Sequence, residues 1–134
     1  MDLKMAYRKS QDDITSLSIG LESIATEPLR KFVSLITGKR GQGRKAELVS
    51  QVLGYMNDDH NLEKIWSKLD SVQKNAVAET VHSQSTRFDS SRFKAKYGRE
   101  PIWGNMSSYK PDPNYLNLLF FSYIIPNDIK IRLK

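Results

Sequence analysis

TEPLRKFVSLITGKRGQGRKAELVSQVL, residues 26–53, reads as two short amphipathic helices joined by a basic glycine loop. Thr26 can cap the first helix, Glu27 suits the positive end of its dipole, and Pro28 belongs in a first turn, where its missing N–H costs nothing. Leu29, Phe32, Val33 and Ile36 fall on one helical face, and Gly38 offers a left-handed stop. GKRGQG, 38–43, can only be a loop. A second helix is expected from about Arg44 to Gly54, with Leu48, Val49, Val52 and Leu53 turned inward.

Helical spacing continues on both sides of this pair. Ile14, Leu17, Leu21 and Ile24 predict a helix before it, although Gly20 inside that stretch costs about 1 kcal/mol relative to Ala. Residues 1–13 are polar and unpatterned, as expected of a mobile leader. After the pair, Asn57, Asp58 and Asp59 form a turn and cap cluster, and Leu62, Ile65, Trp66 and Leu69 mark a third helix. Asp70 or Ser71 caps a fourth, with Val72, Ala76, Val77 and Val81 inside. Asp89 caps a short fifth that Gly98 ends, and Glu100-Pro101 forbids its continuation. GNMSSYKPDPN, 104–114, is a loop. YLNLLFFSYII, 115–125, is so apolar that a helix there is hydrophobic on nearly every face and must be covered. Pro126-Asn127-Asp128 then announces a helix that the chain ends within, which points to a fragment of a longer polypeptide. The expected fold is mainly α. It comprises a leader (1–13), a helical unit with the basic pair (14–56), and a helical bundle (57–134) with room for a small β wing.

Composition narrows the class. The 134 residues are 39% hydrophobic and 27% charged, with no cysteine, so neither a disulfide framework nor a thiolate metal site is available. No apolar run approaches the roughly 18 residues that span a bilayer, and MDLKMAYRKSQDD has no secretory apolar core. A cytoplasmic domain is expected, nucleoid-associated if the source is bacterial. The net charge of +6 is unevenly spread. Residues 27–45 hold six basic side chains against one acidic, and 84–110 hold six against two, while 46–83 between them hold three against six. Two basic islands separated by an acidic segment are the footprint of a polyanion-binding surface.

Gly38-Lys39-Arg40-Gly41-Gln42-Gly43-Arg44-Lys45 superficially matches a phosphate-cradling nucleotide loop. Arg44 stands where that loop needs lysine and Lys45 where it needs a hydroxyl, so nothing would hold Mg²⁺. The same residues suit a nucleic-acid backbone better. Glycines allow close approach to a phosphate, a helix N-terminus favours an anion, and Lys39, Arg40, Arg44 and Lys45 surround the point with charge. The fourth and fifth helices look like a helix-turn-helix pair, with Arg92, Lys94 and Lys96 turned away from Phe93 and Tyr97 and Arg99 following. No Asn or Gln in the fifth helix is placed to read adenine, so sequence-specific recognition is not indicated. His60 and His82 lack ligand-spaced partners for zinc, and no nucleophile elbow supports a hydrolase triad. Trp103, Tyr109 and Tyr115 flank a loop from which bases could be stacked, though packing against the core is the commoner use of such residues.

The stretch 26–53 resembles a SAP motif, a helix–loop–helix found in chromatin, repair and helicase-associated proteins. Its apolar positions correspond to Leu29, Phe32, Val33 and Ile36, its loop glycine and lysine to Gly43 and Lys45, and its second helix to Glu47, Leu48, Val49 and Leu53. The loop here is more basic and richer in glycine than is usual for that motif. Residues 60–101 are similar to the region preceding the motor of bacterial XPB-type helicases, through Trp66, Leu69, Ala76, Val77, Phe88, Phe93, Tyr97, Gly98 and Pro101. These resemblances imply an accessory DNA-handling region with a winged-helix or helix-turn-helix unit, and any ATPase motor outside this chain.

The expected function is therefore non-catalytic, sequence-tolerant DNA binding without a cofactor or metal. Lys39, Arg40, Gly43, Arg44 and Lys45 form one contact patch and Arg92, Lys94, Lys96 and Arg99 a second. Two other expectations stay open: RNA in place of DNA, or a protein partner, such as a helicase motor, docked through Leu119, Phe120, Phe121 and Tyr123.

Overall fold

The computed structural model describes residues 14–134, so the expected leader, 1–13, lies outside the described residues. Among these, seven α-helices follow one another: α1 (Leu17–Glu22), α2 (Thr26–Thr37), α3 (Lys45–Met56), α4 (Asp59–Ser67), α5 (Ser71–Val81), α6 (Ser90–Tyr97) and α7 (Asn127–Leu133). A 3-10 turn spans Tyr115–Leu118. The fold is mainly α. Among the described residues only isolated antiparallel bridges form, Arg87 with Ile124, Asn105 with Asp112 and Phe121 with Ile124. Among the described residues the small β wing expected within 57–134 is not built, and the 104–114 loop closes through the single Asn105–Asp112 pair.

The helix pair forms as its sequence dictates, with small shifts at its ends. Thr26 is the first residue of α2 rather than its cap; Ala25 takes that place without a side-chain hydrogen bond. Glu27 and Pro28 fill the first turn, and Gly38 closes the helix at φ 82°. α3 runs past Gly54 to Met56, because Met56 is fully buried and the added turn carries it inward. α1 and α4 both pack on α3, and α7 packs on α1 and α5. One hydrophobic cluster runs from Leu17 to Ile129, so the units read as 14–56 and 57–134 share a core. Asp70 caps α5, its carboxylate accepting from the Gln73 N–H at 2.8 Å while the Gln73 side-chain oxygen accepts from the Asp70 N–H. Asp89 caps α6.

Residues 115–125 are not an α-helix. Asn114 caps the 3-10 turn, and the Asn117 side-chain oxygen Oδ1 accepts from the Gly104 and Asn114 N–H groups, each at 2.9 Å. The chain then doubles back at Ser122-Tyr123, both with positive φ (52° and 65°), between the mutually bonded Phe121 and Ile124. This hairpin lets Leu116, Leu118, Leu119, Phe120, Phe121 and Ile125 all point into the core. The domain covers its own apolar run. Of the four residues expected to dock a partner, Leu119, Phe120 and Phe121 are buried, and only Tyr123 is exposed. Gly20, a penalty in sequence, is required by this arrangement: a Cβ there would lie 2.9 Å from the Phe121 ring.

α7 ties the two ends of the described chain together. Both Asp128 carboxylate oxygens accept from the Leu17 N–H, at 3.0 and 3.1 Å, and the Asn127 N–H donates to the Thr15 carbonyl. Lys130 is buried, and its ammonium donates to the carbonyls of Ser83 and Ser85, each at 2.8 Å. Burial pushes its pKa below the ordinary lysine range, while the two carbonyls favour the ammonium form. No helix among the described residues is long and apolar enough to cross a membrane.

Candidate nucleic-acid interface

The 38–44 loop is fixed at its centre rather than draped over the surface. Gly41 is buried between α2 and α3, where a Cβ would come within 2.9 Å of both Leu48 and Val33. Its N–H donates to the Arg30 carbonyl at 3.3 Å, and the Arg30 guanidinium donates back to the Gly41 carbonyl. The glycine that seemed available to a phosphate instead makes room for the protein's own helices. Gly43 has a local role too. It adopts φ 99°, and a Cβ there would meet the Glu47 carboxylate at 2.7 Å.

Around this anchored centre the side chains of Lys39, Arg40, Arg44 and Lys45 are all exposed. They are not equivalent. Arg40 donates to Glu27 at 2.7 Å, and Arg30 donates to the other oxygen of the same carboxylate at 3.1 Å. Those guanidinium bonds hold the Glu27 carboxyl below the ordinary glutamate range. Lys39, Arg44 and Lys45 form no ion pair among the described residues. At the start of α3 the Glu47 carboxylate accepts from the Arg44 N–H at 2.8 Å. An anion approaching that helix end therefore meets the N–H groups of the first turn together with one internal carboxylate.

The second island sits on α6. Phe93 is the only buried residue of that helix, packed between Phe88 at 5.3 Å and Tyr97 at 4.5 Å between ring centres. Glu79 on α5 accepts from Lys96 at 2.6 Å and from the Tyr97 hydroxyl at 2.7 Å. These bonds lower the Glu79 pKa and raise that of Lys96. Arg92, Lys94 and Arg99 are exposed and form no ion pair among the described residues. The 82–89 connection is longer than the roughly three or four residues of a helix-turn-helix turn. Among the described residues no hydrogen bond or ion pair joins the 38–45 loop to α6.

The remaining candidates have plain positions. The helix before Gly38 is α2, so the strand that precedes a nucleotide-cradling loop is missing there. Among the described residues no cluster of three His, Asp or Glu side chains could hold a metal ion. Trp66 is partly buried under the Lys74 ammonium, 5.7 Å from its ring centre. The Tyr115 hydroxyl donates to the Leu35 carbonyl, while Tyr109 is exposed beside Lys110. Sequence reasoning passed over Arg87 as a site residue, since nothing in its neighbourhood of serines and Phe88 marks it. Only the Arg87–Ile124 bridge sets it beside Tyr123. Comparison with protein-family models, curated proteins and solved structures gave no match, so the site stands on its own geometry.

Proposed function

We propose that this chain is a non-catalytic, largely sequence-independent DNA-binding domain whose main contact is the 38–45 loop. One observation carries the reading. Lys39, Arg44 and Lys45 are exposed and unpaired among the described residues, on a loop whose centre is locked into the core by Gly41. Long cations on a fixed backbone can meet phosphates without first ordering the chain, so little of the electrostatic gain is lost to loop entropy. Arg92, Lys94 and Arg99 add a second patch, and Arg40 and Lys96 join once a phosphate displaces their carboxylates. In this role the pair α2–α3 acts as SAP-like pairs do, and the domain serves as an accessory region of a larger helicase-like protein whose motor lies elsewhere.

The test is fluorescence anisotropy of a labelled duplex across a salt series. With roughly five or six phosphates neutralised, log affinity against log salt should slope at about −5. Arg44→Glu with Lys45→Glu should abolish binding at moderate salt while leaving the unfolding midpoint in place. Retention of duplex affinity by that double variant would remove the loop from the interface.

A further inference from the structure

Three shallow depressions lie side by side and share walls. His82, Arg87 and Arg92 line the first, of about 500 Å³, with Phe88 at its edge. Arg87 and Phe88 continue into the second, of about 440 Å³, which Trp103 and Tyr123 close. Those two rings also wall the third, of about 390 Å³. Arg92 and Arg87 thus lead into an aromatic corner.

The corner is built and not incidental. Trp103 is anchored edge to face against Phe88 and Phe120, at 5.5 and 5.3 Å. Among the described residues Trp103 is the one aromatic ring that Tyr123 pairs with, at 5.0 Å and 86°, and Tyr123 is 52% exposed. In that edge-to-face pair one ring keeps both faces clear of the other. Tyr123 is displayed there at a cost, since it and Ser122 both adopt left-handed backbone angles that non-glycine residues disfavour by about 1 kcal/mol or more each. The turn is held against this strain by the Phe121–Ile124 pair and by the Phe88 N–H donating to the Tyr123 carbonyl at 2.8 Å. Arg87, exposed and bridged to Ile124, flanks the ring.

We propose that the Trp103–Tyr123 corner stacks an unpaired base while Arg87, and Arg92 beyond it, take the adjoining phosphates, making this groove a site for single-stranded nucleic acid. The inference rests on the nucleic-acid reading above and shares only Arg92 with it; Arg87, Trp103 and Tyr123 are new to the interface. A duplex keeps its bases inside the stack, whereas a single strand presents a π-face at every nucleotide. Glu79, Asp89 and Glu100 also line the depressions, each accepting a hydrogen bond from the protein: from Lys96 and Tyr97, from the Arg92 N–H, and from the Ser90 hydroxyl. Three carboxylates thus stand against two arginines, so stacking must supply most of the affinity. With two phosphates engaged, the salt slope on a single strand should be only about −1.4.

The experiment compares a labelled oligothymidine decamer, an abasic decamer with the same phosphates, and a duplex. Tyr123→Ala should weaken decamer binding about tenfold, the usual worth of one stacked base, and leave duplex binding unchanged. Tyr123→Phe should bind as the parent does, and the abasic decamer should bind the parent as weakly as the normal one binds Tyr123→Ala. Tyr123→Gly suits the turn's backbone, so it should keep or raise the unfolding midpoint yet lose the same tenfold, which separates stacking from folding. Equal decamer affinity in Tyr123→Ala and the parent, or an equal loss on the abasic strand, would overturn the base platform while duplex binding stood. Decamer binding that depends on Tyr123 and ignores the Arg44/Lys45 double variant would keep the platform, and only duplex affinity retained in that same variant would remove the loop. Absence of binding to all three probes at low salt would end both proposals.

Discussion

The two basic islands carry similar charge in the sequence and are held in opposite ways. The 38–44 loop has no regular structure, yet its backbone is locked because Gly41 is buried between two core helices. α6 is a regular helix, yet it is fastened by one buried aromatic, one ion pair and the connection that precedes it. Secondary structure and rigidity are thus decoupled here. A loop with a buried centre can present cations more firmly than a helix lying on the surface.

The harshest way to break this contrast is Phe93→Ala. Removing the only buried side chain of α6 should cost about 3–5 kcal/mol, as large-to-small core aromatic changes do. That is a large part of the stability of a domain this size. Denaturant unfolding checks it, and a loss below about 1 kcal/mol would show that α6 is held by something else. Gly41→Val is the counterpart in the loop. The added atoms meet Leu48 and Val33 at once, and the Arg30 backbone lies 3.2 Å from the Cβ position, so neither side can yield freely. We expect a cost of about 1–3 kcal/mol, with duplex affinity falling alongside it because the cations lose their fixed base. Unchanged affinity in a destabilised Gly41→Val would sever the link between anchoring and binding.

A smaller effect tests how the second island is positioned from a distance. Lys130→Met keeps the apolar stem but removes the ammonium that holds the Ser83 and Ser85 carbonyls. We expect a loss of about 1–3 kcal/mol, the penalty for leaving buried partners unsatisfied. Amide exchange should quicken across 82–97 while 38–45 stays protected. Faster exchange in both islands alike would mean that α7 stabilises the whole chain and not the α6 side in particular.

How much of this was legible follows the range of the forces involved. The α2–α3 pair, the Asp58, Asp70 and Asp89 caps and the Gly38 and Gly98 stops are local, settled within a few residues, and apart from the start of α2 and the end of α3 they stand where periodicity and capping put them. Residues 115–125 were illegible because a continuous apolar run fits a buried helix and a buried irregular segment equally well. What settles the matter is Asn117 bonding to Gly104 and the Phe121 ring seated on Gly20, contacts between distant segments. The candidate site divides similarly. Charge density marks both islands, but the burial of Gly41, the capture of Arg40 and Lys96 by Glu27 and Glu79, and the meeting of Arg87 with Tyr123 are tertiary facts.

The smallest expected effects concern those two carboxylates, and they sharpen the contrast best. Each island has one cation withheld by an acid from a neighbouring helix, but the acids differ in what else they support. Glu27 binds two guanidinium groups at the surface, and Gly41 holds the loop whether or not Arg40 is paired. Glu27→Gln should therefore leave the unfolding midpoint nearly unchanged, raise duplex affinity roughly twofold and steepen the salt slope by about one as Arg40 becomes free. Glu79 also accepts the Tyr97 hydroxyl, and Tyr97 packs on Phe93, so this acid helps hold α6 itself. Its folded pKa is depressed, so its contribution is present above the ordinary glutamate value of about 4.3 and is lost as pH falls through the lower folded value. Stability measured against pH should fall in acid for the parent and fall less for Glu79→Gln, which starts lower at neutral pH. If Glu27→Gln instead lost stability and Glu79→Gln gained affinity without losing any, the loop would be the weakly held island and the helix the firm one.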